Sequence, residues 1–111
     1  PFIADCVLLD APCSGSGVFG RNPDRKYKLS PDELDELVNL QFDILRNYCK
    51  WVKPGGRLVY ATCSIFKEEN ENQVHSFLKQ HDEFKFVSEQ LILPNKDHDG
   101  FYMAKLERKV D

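Results

Sequence analysis

Long apolar runs are missing from this sequence. None approaches the ~20 residues that a bilayer-crossing helix needs, which argues against a membrane-spanning role. An excess of positive charge is missing too: 15 Lys+Arg stand against 18 Asp+Glu in 111 residues, a formal charge of −3. Bulk charge therefore cannot hold nucleic acid, and any such contact must come from a local patch. Cysteines are few and irregularly spaced (Cys6, Cys13, Cys49 and Cys63), no Cys-x-x-Cys pair occurs, and His75, His81 and His98 sit far from them. This spacing is neither a secreted disulfide framework nor a zinc site, so no metal is expected and reduced thiols in the cytoplasm are. The first residues, Pro1 to Asp5, lack a basic start and a long apolar stretch, so no secretory leader is expected. Repeats and low-complexity tracts are absent as well. What is present, 41% apolar and 30% charged residues, is the composition of a folded chain, and the length admits one domain or part of one.

Cys6-Val7-Leu8-Leu9 is a short unalternating apolar run ending at Asp10-Ala11-Pro12, the pattern of a strand buried on both faces. Residues 14–29 follow with three glycines, Pro23 and no clear periodicity, a length of irregular chain that is usually functional or mobile. Ser30-Pro31-Asp32-Glu33 reads as a helix start with a capping box. Leu34, Leu37, Val38, Leu45, Tyr48, Cys49 and Val52 then share one face, broken only by Gln41, and predict a helix over 31–52. Lys50 and Lys53 suit its carboxyl end, and Pro54-Gly55-Gly56 is expected to stop it. Leu58 to Cys63 predicts a second buried strand. Residues 67–81 predict a second helix, with Glu68, Glu69 and Glu71 in its first turns and Val74, Phe77 and Leu78 as its apolar stripe. Phe84 to Val87 and Gly100 to Leu106 predict two more strands. The order is that of an α/β fold.

In open α/β sheets ligands bind beyond the carboxyl ends of the strands. Asp10, Pro12 and Cys13 follow the end of the first strand, while Thr62, Cys63 and Ser64 close the second. Strands joined by a crossover helix as parallel neighbours lie about 4.8 Å apart, which would bring both thiols to one cleft. Cys6 and Cys49, inside a strand and on a helix's apolar face, read instead as small buried hydrophobes. The turn Cys13-Ser14-Gly15-Ser16-Gly17 lacks the Lys-Ser/Thr of a P-loop, the third glycine of a dinucleotide fingerprint and the spacing of a nucleophile elbow. Arg21, Arg25, Lys26 and Lys28 surround Tyr27 with a single Asp24 among them. Such a segment suits a phosphate backbone and an unstacked base, and equally a solvated charged loop.

Leu9-Asp10-Ala11-Pro12-Cys13-Ser14-Gly15-Ser16-Gly17, Arg21-Asn22-Pro23-Asp24, Lys53-Pro54-Gly55-Gly56, Tyr60-Ala61-Thr62-Cys63-Ser64 with Glu69-Asn70-Glu71 behind it, and Asp99-Gly100-Phe101-Tyr102-Met103-Ala104 together resemble the RNA cytosine-5 methyltransferases of the Nop/Sun (Fmu-type) family. The likeness runs from about residue 5 to the end. It implies a partial Rossmann-like, S-adenosylmethionine-dependent methyltransferase fold, with the whole of 1–111 a single partial domain: the C-terminal half of the sheet with helices packed on it. It implies S-adenosylmethionine as cofactor and rRNA or tRNA as substrate. Cys63 is then the nucleophile that adds to C6 of cytosine, and Cys13 helps remove the C5 proton and release the product. Asp10 is placed to touch the cofactor and the cytosine edge, with Pro12, Arg21 and Lys26 as further substrate contacts. Asp10 could otherwise serve as a turn-capping residue.

Two other readings stay open. A DNA cytosine-5 methyltransferase would use Cys13 as nucleophile and would not need Cys63, and a non-catalytic module would only bind RNA or support assembly. The family's Gly-rich cofactor loop and RNA-binding extension find no counterpart in these residues, so the polypeptide alone is expected to be inactive. Lys67, Gly20 and Tyr27 also depart from residues common in the family. The strand at 6–10 lies centrally in the family's sheet. As an edge it would recruit another chain, and a homodimer through it is expected.

Overall fold

The computed structural model describes residues 3–12, 31–64, 66–95 and 99–110. Strand β1 (Ala4–Asp10) precedes helix α1 (Pro31–Tyr48), a single 3-10 turn (Cys49–Trp51) and strand β2 (Val52–Thr62). Helix α2 (Glu71–Gln80) and the antiparallel pair β3 (Phe84–Ile92) and β4 (Phe101–Arg108) complete the order. The four strands form one sheet in the order β1-β2-β4-β3. β1 and β2 are parallel, while β4 runs antiparallel to both of its neighbours. This is part of a Rossmann-like α/β fold: a parallel β1-α1-β2 unit extended by an antiparallel hairpin.

The core lies between one face of the sheet and the two helices. Leu9 from β1, Leu58 and Tyr60 from β2, and Tyr102, Ala104 and Leu106 from β4 pack with Leu45 of α1 and with Val74 and Phe77 of α2. Strand alternation sends the other residues to the opposite face, where no described element covers them. That corrects the expectation for β1. Cys6 is exposed and Leu8 is 65% exposed, with Leu9 the one buried residue of the strand. The unbroken apolar run gave no sign that the two faces are treated differently.

Helix α1 starts at Pro31 as expected and ends earlier than the stripe suggested. Its last turn tightens to 3-10, Val52 opens β2, and Tyr48 is 49% exposed. The Pro54-Gly55-Gly56 segment does not follow a helix but sits inside β2 as a bulge. Ala4 pairs with Val52 and Cys6 with Arg57, so β2 uses more residues than β1 over the same span. Glycine chemistry makes this workable: Gly55 has φ +84°, and a Cβ on Gly56 would lie 2.8 Å from the Asp5 carbonyl oxygen. Lys53 therefore belongs to the strand, where its ammonium pairs with Asp5 across the bulge. Buried Val52 anchors the start of β2, its carbonyl accepting from Arg108 Nη1 at 2.5 Å.

Helix α2 begins at Glu71, behind a hydrogen-bonded turn over 67–70 in which Asn70 N–H donates to Lys67 O (3.1 Å) and Glu69 N–H to Phe66 O (3.1 Å). Glu69 is consequently not a solvent-facing acid of a first helical turn: it is fully buried. Val74 and Phe77 are buried as the stripe required. β3 runs on through the polar Ser88-Glu89-Gln90, which masked it in the sequence because an edge strand can leave most of its side chains in water. No described helix is long and apolar enough to cross a membrane.

Candidate active site

The carboxyl ends of β1 and β2 lie side by side. Asp10 pairs with Ala61, and the Ala11 amide donates to the Ala61 carbonyl at 2.9 Å, carrying the pairing one residue past β1. Asp10 is exposed there, on the face of the sheet opposite the helices, and Pro12 is exposed beyond it. Cys63 is the first residue after β2 and is exposed, whereas Thr62 and Ser64 on either side are buried. Two of the expected site residues, Asp10 and Cys63, thus stand at adjacent strand ends. Cys13, Arg21 and Lys26, with the remainder of the segment 13–30, lie outside the described residues.

The turn that presents Cys63 is tied down on both sides. Thr62 Oγ1 donates to Asn70 Oδ1 (2.6 Å) and accepts the Ser64 amide (3.1 Å), while Asn70 Nδ2 donates to the Ser64 carbonyl (2.7 Å). Ser64 Oγ accepts the Phe66 amide (3.0 Å) and donates to Glu69 Oε2. Behind it, the Tyr60 hydroxyl donates to the Glu69 carbonyl at 2.6 Å. A two-residue bracket of buried hydrogen bonds therefore leaves a single thiol outward.

The bracket continues into α1. Gln41, the polar break in the helix's apolar face, is fully buried. Its Nε2 donates to the Pro12 carbonyl (2.8 Å) and to Glu69 Oε1 (3.0 Å), and its Oε1 accepts from Gln73 Nε2 (3.2 Å). Gln73 Nε2 also reaches the Val38 carbonyl at 2.5 Å. Both Nε2 protons of Gln41 and its carbonyl oxygen are engaged, which fixes the amide orientation. No buried side-chain nitrogen or oxygen among the described residues lacks a partner. Sequence reasoning gave no role to Gln41, Glu69, Asn70 or Gln73. The available signals were a lone glutamine where the helical period called for Leu, and Glu69-Asn70 within the motif behind Cys63.

A model of the 16S rRNA methyltransferase RsmB/F family matches residues 2–107. The chain belongs to that family. The family's ribosomal RNA small subunit methyltransferase B from Shewanella oneidensis is 41% identical over 113 residues, covering 92% of this chain and 26% of that protein. The probable ribosomal RNA small subunit methyltransferase B of Bacillus subtilis is 46% identical over 123 residues, covering 95% and 28%. The chain thus spans about a quarter of the length of the curated relatives it matches. Among solved structures, PH0851 superposes with a TM-score of 0.90 at 43% identity, covering 95% of this chain and 27% of that one. NSun6 from Pyrococcus horikoshii, solved with SFG, gives a TM-score of 0.83 at 28% identity, covering 99% and 31%. These likenesses fall where the sequence resemblance placed them, in the Nop/Sun group of methyltransferases.

Proposed function

We propose that this segment carries the catalytic strand ends of an enzyme that methylates C5 of cytosine in RNA, with Cys63 as nucleophile. The observation that carries the reading is Cys63 itself: an exposed thiol held between buried, hydrogen-bonded neighbours at a strand end beside Asp10. Its thiolate Sγ forms a bond to C6 of the cytosine, and the C5–C6 π electrons shift to make C5 electron-rich. S-adenosylmethionine, when bound, supplies an electrophilic methyl group for C5. A base then takes the C5 proton, the electrons of that C–H bond restore the C5–C6 double bond, and Sγ leaves as thiolate. Cys13 is assigned to this release. Covalent addition splits one hard displacement into easier steps.

Asp10 suits the cofactor side of such a site. Its exposed carboxylate, at the carboxyl end of a parallel strand, can accept from cofactor amino or hydroxyl groups and from the cytosine N4 amine. NSun6 was solved with SFG, an S-adenosylmethionine analogue, which supports the same cofactor here. The relatives' names point to small-subunit rRNA as the RNA, and so to the cytoplasm as the place of action. Pro12, Arg21 and Lys26 are assigned to the RNA. Reaching C6 requires a cytosine outside its stack, so the target is single-stranded or flipped.

The test is trapping. The protein as its gene encodes it, given S-adenosylmethionine and a 5-fluorocytosine RNA, is expected to form an adduct that peptide mass spectrometry maps to Cys63. An adduct at Cys13 would favour the DNA-type mechanism. RNA binding with neither adduct nor methyl transfer would favour a non-catalytic module.

A further inference from the structure

We propose that Gln41 and Glu69 form a buried clamp that fixes Pro12, just past the end of β1, against the Thr62–Ser64 stretch and thereby positions Cys63 for attack on C6. The inference deepens the proposed function and rests on Cys63 being the nucleophile. Both residues are fully buried and come from different elements, Gln41 from α1 and Glu69 from the turn before α2. Gln41 holds the carbonyl of Pro12, two residues beyond Asp10, and Glu69 holds the hydroxyl of Ser64, the residue after Cys63. The hydrogen bond between Gln41 Nε2 and Glu69 Oε1 (3.0 Å) closes the path, so the ends of β1 and β2 are joined through side chains as well as through the sheet.

Burying an amide and a carboxylate is costly unless every polar atom is satisfied, and a leucine at either place would avoid that cost. What leucine cannot do is hold two strand ends in one register. A fully connected polar network fixes geometry where apolar packing tolerates sliding. Cys63 is exposed between two buried neighbours, and the backbone on either side of it sets where its Cα–Cβ bond points. The Ser64 side of that backbone hangs on Glu69, and the Thr62 side on Asn70. Gln41 and Glu69 touch neither substrate nor cofactor in this reading; they are positioning residues. Displacement of a reacting group by about 1 Å can cost on the order of a hundredfold in rate.

The experiment compares Glu69→Ala, Glu69→Gln, Gln41→Met and Ser64→Ala in the full-length protein. It reads the rate of adduct formation with 5-fluorocytosine RNA at saturating RNA and S-adenosylmethionine, KM for both, and the rate of Cys63 alkylation by iodoacetamide. Expected is a fall in adduct rate of roughly tenfold to a hundredfold for Glu69→Ala and about tenfold for Ser64→Ala and Gln41→Met. Both KM values and the alkylation rate should stay within about twofold, because a small reagent needs the thiol but not its alignment. Glu69→Gln keeps the side-chain volume and the bond from Gln41, and is expected to recover most of the rate. The double variant of Gln41 and Glu69 should be no slower than the slower single, as parts of one path are not additive. If Glu69→Ala does not fold, Ser64→Ala, which deletes one oxygen, still decides. Adduct rates within twofold of wild type in Ser64→Ala and Gln41→Met overturn the clamp, as does a loss shared equally by alkylation and KM. Methyl transfer that survives Cys63→Ser sinks the proposed function itself, whereas its abolition there beside unaffected clamp variants sinks only the clamp.

Discussion

Cys49 and Cys63 carry the same thiol in opposite surroundings. Cys49 lies under the sheet at the end of α1, 5% exposed, with its Sγ donating to the Arg46 carbonyl at 3.3 Å. Burial pushes its thiol up from the ordinary value, and the nearby Glu83 carboxylate adds to the shift while Arg108 opposes it. Such a thiol stays protonated and acts as a small hydrophobe. Cys63 lies at a strand end beside the buried polar network, exposed between two buried neighbours, Thr62 and Ser64. The contrast teaches that chemistry here is assigned by the scaffold around a residue rather than by the residue type.

The sharpest way to break the comparison is to exchange sulfur for oxygen at each place. Cys63→Ser is expected to lower methyl transfer to RNA by at least about a thousandfold, measured with labelled S-adenosylmethionine, because a serine hydroxyl is a far weaker nucleophile at neutral pH. Cys49→Ser should leave transfer within about twofold. Retained activity in Cys63→Ser would erase the distinction. Timed iodoacetamide labelling read by mass spectrometry should then find Cys63 modified early and Cys49 only upon unfolding. Stability should reverse the ranking: Cys49→Ser is expected to cost about 1–2 kcal/mol in a denaturant titration, and Cys63→Ser less than about 0.5 kcal/mol.

A subtler distinction is carried by pH. The Tyr102 phenol is also held well above its ordinary range, by burial first and then by its hydrogen bond to Glu89 at 2.6 Å. For Cys49 and Tyr102 alike, the fold favours the protonated form. Their contribution to stability is complete below the pKa values of the unfolded chain, about 8.5 and 10, and is lost as pH rises from there through the folded values. Melting temperature should therefore fall above about pH 9, and replacing Tyr102 with Phe should flatten the upper part of that fall. An unchanged profile in the variant would remove the burial account of Tyr102. The smallest effect is expected at the edge of β1, where exposed Ile3 and Leu8 favour self-association of the 111-residue polypeptide. Light scattering that finds a clean monomer at high concentration would count against it.

Much of the fold was legible because it rests on local patterns. The Val74 and Phe77 stripe, Pro31 at a helix start and the parallel pairing of two apolar strands all follow from periodicity and chain connection. The bulge at Gly55 and Gly56 was not legible, since a Pro-Gly-Gly stops a helix or loops out of a strand with equal ease. The polar rear of the site was legible only in outline. Gln41 looked like a blemish in an apolar face and Glu69 like one of three acids favouring a helix start. Their partners, Pro12 and Ser64, come from other parts of the chain.

The order of residues by itself determined the α/β class and the strand ends after which Cys13 and Cys63 fall, and it carried the motifs whose resemblance names Cys63 as nucleophile, because period, turn chemistry and motif are properties of neighbours along the chain. Tertiary structure decided that Cys6 and Leu8 face outward, that β2 bulges, and that Gln41 and Glu69 meet across two elements. Which face is covered and which buried polar groups find each other are properties of neighbours in space. Hydrogen bonds between residues 28 and 29 positions apart leave no periodic trace in a sequence.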